Sequence, residues 1–133
     1  MSRMIPQEAM PHFENAIYLP MLLTILSMDK EIIEKSPIKL KKPYLGMIER
    51  ALNHVQKDLR DTNLYLRNHK MKLEKGVSDE TFTEYIFFHN GYEDPRRYLN
   101  VRLRNRSEEL LSVYLAENAE EISIDQTFSL DWS

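Results

Sequence analysis

The sequence predicts an all-α fold: a three-rod helical bundle of four helices, the third rod broken near Gly91-Pro95, followed by an extended C-terminal tail. Three observations carry the prediction. Leu45, Leu52, Leu59, Leu66 and Leu73 recur every seven residues, with Ile48, Val55, Thr62 and His69 three residues after the first four. Alternating steps of three and four place all of these on one side of a helix. Only three glycines occur in 133 residues, which argues against a turn-rich β fold. Beyond Asn118 the apolar residues Ile122, Ile124, Phe128, Leu130 and Trp132 fall at even positions, the period of an extended chain.

Each element follows in order. Residues 1–12 hold Pro6 and Pro11 without periodicity and read as a loose arm. A first helix is expected over Phe13–Ser36. One stripe runs through Tyr18, Met21, Ile25, Met28 and Ile32, and an adjoining one through Leu19, Leu22, Leu23, Leu26 and Ile33. A helix apolar over so wide an arc is buried on two sides. Pro20 starts or kinks it, because proline has no N–H to donate to residue 16. Ser36-Pro37 ends it. Pro43 then suits the first turn of the long second helix, and Gly76 suits its C-terminal cap. Ser78 is placed to cap a third helix through His89, stopped by Asn90-Gly91. Asp94-Pro95 restarts a fourth, which runs to about Glu117. Residues 13–117 form the bundle and 118–133 an acidic, hydrophobic tail within a single domain.

Composition narrows the function classes. The formal net charge of -3 gives no general attraction to nucleic acid or to an anionic membrane, and neither partner is expected. There is no cysteine, so disulfides, thiolate metal sites and cysteine chemistry are excluded. The first dozen residues do not read as a signal peptide. The longest uncharged apolar stretch, Ala16–Met28, is shorter than the roughly 20 residues of a transmembrane helix. A cytoplasmic protein is expected.

The runs AIYLPMLLT, SPIKLKKPYL and GYEDPRRYLNVRLRN resemble parts of small uncharacterised helical proteins of spore-forming Gram-positive bacteria, of the YhjD type. The resemblance covers Ala16 to about Leu115. It implies no activity, cofactor or catalytic residue, so the candidate sites rest on the residues alone.

His54 precedes Asp58 by one turn and Asp61 follows, the one arrangement that invites a metal. The Glu-x-x-His pattern of di-iron bundles is absent, and a boundary histidine paired with an acid is the plainer reading. No metal or cofactor is expected. His69 occupies a core heptad position, where a polar residue would form a pH-sensitive layer; the plainer reading is that the helix end is already solvated there, so that His69 packs its ring and keeps its edge in water. Arg96, Arg97, Arg102, Arg104 and Arg106 lie within twelve residues free of acids, with Tyr92 and Tyr98 close by. Anion binding uses such a cluster, yet structural pairing is favoured, with Arg106 near the buried seam and reaching Asp58 or Asp61. Phe82, Tyr85, Phe87, Phe88 and Tyr92 crowd one short segment; Phe87 and Phe88 cannot both face the bundle fully, so an aromatic left outside would mark a contact surface, the alternative being a lid over the bundle end that buries all five. No nucleophile elbow, phosphate loop or zinc motif is present.

The reading that follows is a non-enzymatic interaction protein, a homodimer that also binds a further protein partner. It would work through Leu22, Leu26 and Ile33 on the first helix, through Arg96, Arg97 and Arg104, and through Phe128, Leu130 and Trp132 in the tail. The alternative is a bundle that holds a small ligand or metal.

Overall fold

A computed structural model describes the backbone of residues 5–125 and side chains through Ala116. Helix α1 spans Met10–Lys35 and α2 spans Lys42–Asn68; strands β1 (Met71–Ser78), β2 (Phe82–His89) and β3 (Tyr92–Leu99) follow, then helix α3 (Asn100–Asp125). The strands form one antiparallel sheet in the order β1-β2-β3. The fold is therefore α+β: the all-α bundle of four helices is overturned between residues 69 and 99, and the tail expected to be extended from residue 118 instead continues α3 as helix to Asp125.

The heptad leads into that error. The helix it describes stops at Asn68, and Leu73 belongs to β1. His69 is the C-cap of α2, and Lys70 takes a left-handed φ of 56°, so the chain reverses within two residues. Among the helical positions, Ile48, Ala51, Val55, Thr62 and Leu66 are buried.

The expected third helix is a β-hairpin. Phe82–His89 alternates: Thr83, Tyr85 and Phe87 are buried, and the residues between them are half-buried. Asn90 and Gly91, read as a helix stop, form the two-residue turn between β2 and β3, with φ of 48° and 80°. Two successive positive φ values define the type I′ geometry whose twist matches that of the strands. Asp94-Pro95 starts no helix either. Pro95 lies in edge strand β3 opposite Ile86, where a missing N–H is tolerated. Phe87 and Phe88 separate cleanly. The Phe87 ring stacks on Phe13 of α1 at 4.4 Å, and Phe88 lies on the outer face beneath the Lys72 ammonium.

Two cores result. Leu19, Leu22, Leu26, Ile48, Ala51, Val55 and Tyr114 fill the space between the three helices. Ala9, Phe13, Ile17, Tyr18, Leu66, Met71, Tyr85, Phe87 and Leu103 join the helices to the sheet. The expected loose arm contributes to the second: Gln7–Ala9 forms a short 3-10 turn, and Ala9 is fully buried. Leu103 near Ile17 and Tyr18, and Tyr114 within the Leu19–Leu26 core, show that α3 runs alongside α1 in the same direction.

No linker separates β3 from α3. The Asn100 amide N–H donates to the Thr81 carbonyl, its side chain donates to the Asp79 carbonyl, and its Oδ1 accepts from the Thr83 hydroxyl at 2.7 Å. Asp79 in turn accepts the backbone N–H groups of Thr81 and Phe82, which hold its carboxyl below the usual range.

Candidate interaction surface

On α1 the structure exchanges the roles of the two expected stripes. Leu22 and Leu26 are buried within the chain and Ile33 packs against the same core. They cannot form the dimer contact expected of them without opening the monomer. The stripe expected to face inward is the one exposed at its far end: Ile25 is 37%, Met28 57% and Ile32 62% exposed. Cross-helix polar contacts accompany this rotation of α1. Asn15 donates to the Thr62 hydroxyl at 3.1 Å, and Lys30 bridges Glu49 at 2.8 Å. The pairing of residues so far apart in sequence leaves no periodic signal.

Beside this stripe runs a groove of about 610 Å³ between α1 and α3, lined by Met21, Thr24 and Ile25 on one wall and by Asn100, Leu103, Arg104, Ser107, Glu108 and Leu111 on the other. Its floor is apolar. Buried Ser107 turns its hydroxyl back onto the Leu103 carbonyl at 2.8 Å and so presents no free donor to the groove. Arg104 and Glu108 stand on the rim.

The expected arginine cluster is divided between two elements. Arg96 and Arg97 are neighbours in β3 and take opposite faces of the sheet: Arg96 bridges Asp94 at 2.8 Å and lies over Phe87, whereas Arg97 lies over Phe82 at 4.1 Å. Arg106 does not reach the seam between helices. It is exposed on α3 and bridges Glu109 at 2.9 Å, so the expected pairing with Asp58 or Asp61 is not formed.

His54 and Asp58 are near one another, Nε2 to Oδ2 at 4.0 Å, but the Tyr114 hydroxyl donates to that same Asp58 oxygen at 2.6 Å, and the Tyr114 ring meets His54 edge-on. Asp61 instead faces Lys57 at 3.3 Å on the exposed side of α2. The three do not converge, and among the described residues no three histidine or acidic side chains are placed to hold one metal ion.

His69 is no core layer. It is exposed at the end of α2, with Nδ1 2.8 Å from the Tyr65 carbonyl. No periodic pattern announces what it joins: Tyr65 is sandwiched between the rings of His12 at 3.7 Å and His69 at 4.0 Å. His12 Nδ1 is enclosed without a hydrogen-bond partner among the described residues. Loss of hydration, and then the nearby His69, push the His12 pKa down. Burial also pushes the Tyr98 phenol up to about 12, beside Tyr85 in the sheet-end core. Phe128, Leu130 and Trp132 lie outside the described residues.

What the fold and surface define is a small α+β domain, a helix hairpin and a third helix closed at one end by a β-meander, with an apolar stripe and groove open on one side. The chain belongs to the YhjD family: the profile of the family described as "YhjD protein" matches residues 4–119. "Uncharacterized protein YhjD" of Bacillus subtilis (strain 168) is 40% identical over 111 residues, which cover 84% of this chain and 92% of that protein. No solved structure matches the chain.

Proposed function

We propose that the protein is a non-catalytic interaction module of the cytoplasm, and that its working surface is the Ile25–Met28–Ile32 stripe of α1 with the adjoining groove. One observation carries this reading: three large apolar side chains at helical spacing are left in water beside an apolar groove, on a helix whose opposite side is fully packed. The spacing suits a facing helix, and the simplest one is α1 of a second copy across a twofold axis. Met28→Glu places a charge at the centre of that contact without touching either core. Light scattering is expected to give a dimer for the native chain and a monomer for the variant, at equal helicity. A native monomer at high concentration counts against the proposal.

The size of the groove favours a second reading, in which it holds an apolar small molecule; about 610 Å³ is within the range of ligand sites. Saturable binding of an apolar dye by a monomeric native chain, abolished by Ser107→Leu, would select it.

A further inference from the structure

The turn between α1 and α2 combines exposed apolar tips with lysines. Ile38 is 41%, Leu40 77% and Tyr44 49% exposed. Between them stand Lys39, Lys41 and Lys42, and the stretch from Ser36 to Ile48 contains no acid. Lys41 is turned back to donate to the Glu34 carbonyl at 2.7 Å, closing the end of α1, while Lys39 and Lys42 are exposed. The acids nearest this stretch in sequence are largely engaged: Glu31 bridges Lys35 and Glu49 bridges Lys30, leaving the Glu34 carboxylate.

We infer that this turn is a membrane-surface contact, docking the tip of the helix hairpin on an anionic lipid bilayer. Three arguments select that occupant. The tip is the turn that joins two antiparallel helices, and its exposed apolar side chains suit a deformable flat surface. Its lysines are the complement of anionic headgroups, while its aliphatic side chains and the Tyr44 ring suit the interfacial layer just beneath them. Pro37 and Pro43 restrict the backbone at both ends of the turn, so little chain freedom is left to lose on docking. The chain's negative total does not oppose this. A chain-wide total is a poor guide to one local contact, because charges more than about 8–10 Å away are largely screened at physiological salt. The contact is peripheral, since no helix among the described residues is long and apolar enough to cross a membrane.

The test is co-sedimentation of the full chain with vesicles of phosphatidylcholine alone and of an equimolar mixture with phosphatidylglycerol. Binding to the mixed vesicles only, weakening as salt is raised, is expected. Each lysine near such a surface contributes about fivefold, so Lys39→Gln with Lys42→Gln should lower partitioning on the order of 25-fold. Leu40→Ser should also weaken it several-fold. Both changes fall on exposed side chains, and unchanged circular dichroism would confirm that the fold is intact. Absence of binding to the mixed vesicles overturns the inference. So does a loss with the glutamines but none with Leu40→Ser, which is the behaviour of a charge-only contact such as an acidic polypeptide. A Met28→Glu variant that still sediments with mixed vesicles keeps this contact distinct from the proposed dimer face.

Discussion

The two cores are built from different material. The one between the helices is almost wholly aliphatic, and its single aromatic residue, Tyr114, sends its hydroxyl out to Asp58. The one at the sheet end is assembled around Phe13, Tyr18, Tyr85 and Phe87, and it draws on all three helices, all three strands and the N-terminal turn. The aliphatic core interlocks ridges along helices, so each helix supplies several members at regular spacing. The aromatic core is a meeting point to which most elements give one or two residues. Removing one member should therefore damage the two cores differently.

The largest effect is expected from Phe87→Ala. It removes the partner of Phe13 from a fully buried site and should cost about 4 kcal/mol by urea denaturation, with loss of the near-ultraviolet aromatic signal. Leu22→Ala, equally buried in the helical core, should cost about 3 kcal/mol and leave that signal largely in place. A costlier Leu22→Ala would break the comparison by making the sheet a peripheral addition to a self-sufficient bundle.

A smaller effect separates the sheet's attachment from its packing. Asn100→Ala leaves the Asp79 carbonyl without its side-chain donor and the buried Thr83 hydroxyl with the Ser78 hydroxyl, at 3.0 Å, as its remaining side-chain partner, and should cost about 2 kcal/mol. Thr83→Val added to it should recover part of that loss, because the buried hydroxyl that lost its acceptor is then gone. No recovery would mean that Asn100 acts through its helix-starting backbone alone.

The smallest effect is a pH dependence confined to the sheet end. His12 has its pKa lowered below the model-peptide value of 6.5, so between the two values the unfolded chain binds more protons than the folded one. The contribution of neutral His12 is complete above pH 6.5 and is lost as pH falls through the depressed folded value. His12→Phe keeps a ring against Tyr65 and should flatten the stability profile below pH 6.5. An unchanged slope would assign the acid sensitivity to other groups.

The same contrast explains what could be read from the sequence. The helical core was legible in Ile48 and Val55 and in the leucines of α1, because periodic burial lies within each element. The sheet was not. Phe82, Tyr85, Ile86 and His89 fit steps of three and four as readily as the alternation of Thr83, Tyr85 and Phe87 fits two. Asn90-Gly91 was the deciding signal, since that pair between apolar runs favours a type I′ hairpin over a helix stop. The heptad concealed the boundary further, because Leu73 continues its count across the reversal at His69-Lys70. At the surface, the proximity of His54 and Asp58 was visible one turn apart, but the claim of Tyr114 on Asp58 was not. Which α1 stripe faces outward is settled by how Leu19, Leu22 and Leu26 pack against α2, alongside the Asn15–Thr62 and Lys30–Glu49 pairs, and such contacts between helices are not encoded in local patterning.

The direct passage from Leu99 into Asn100 makes α3 a lever whose fulcrum is the sheet. From Asn100 to Leu115 it is roughly 22 Å long, at about 1.5 Å of rise per residue. A rotation of only about 5° at the strand end carries Leu115 sideways by about 2 Å over that length. The wall of the groove moves with it. A small twist of the meander thus becomes a change in aperture between α1 and α3, and anything wedged into that aperture applies torque to the strands.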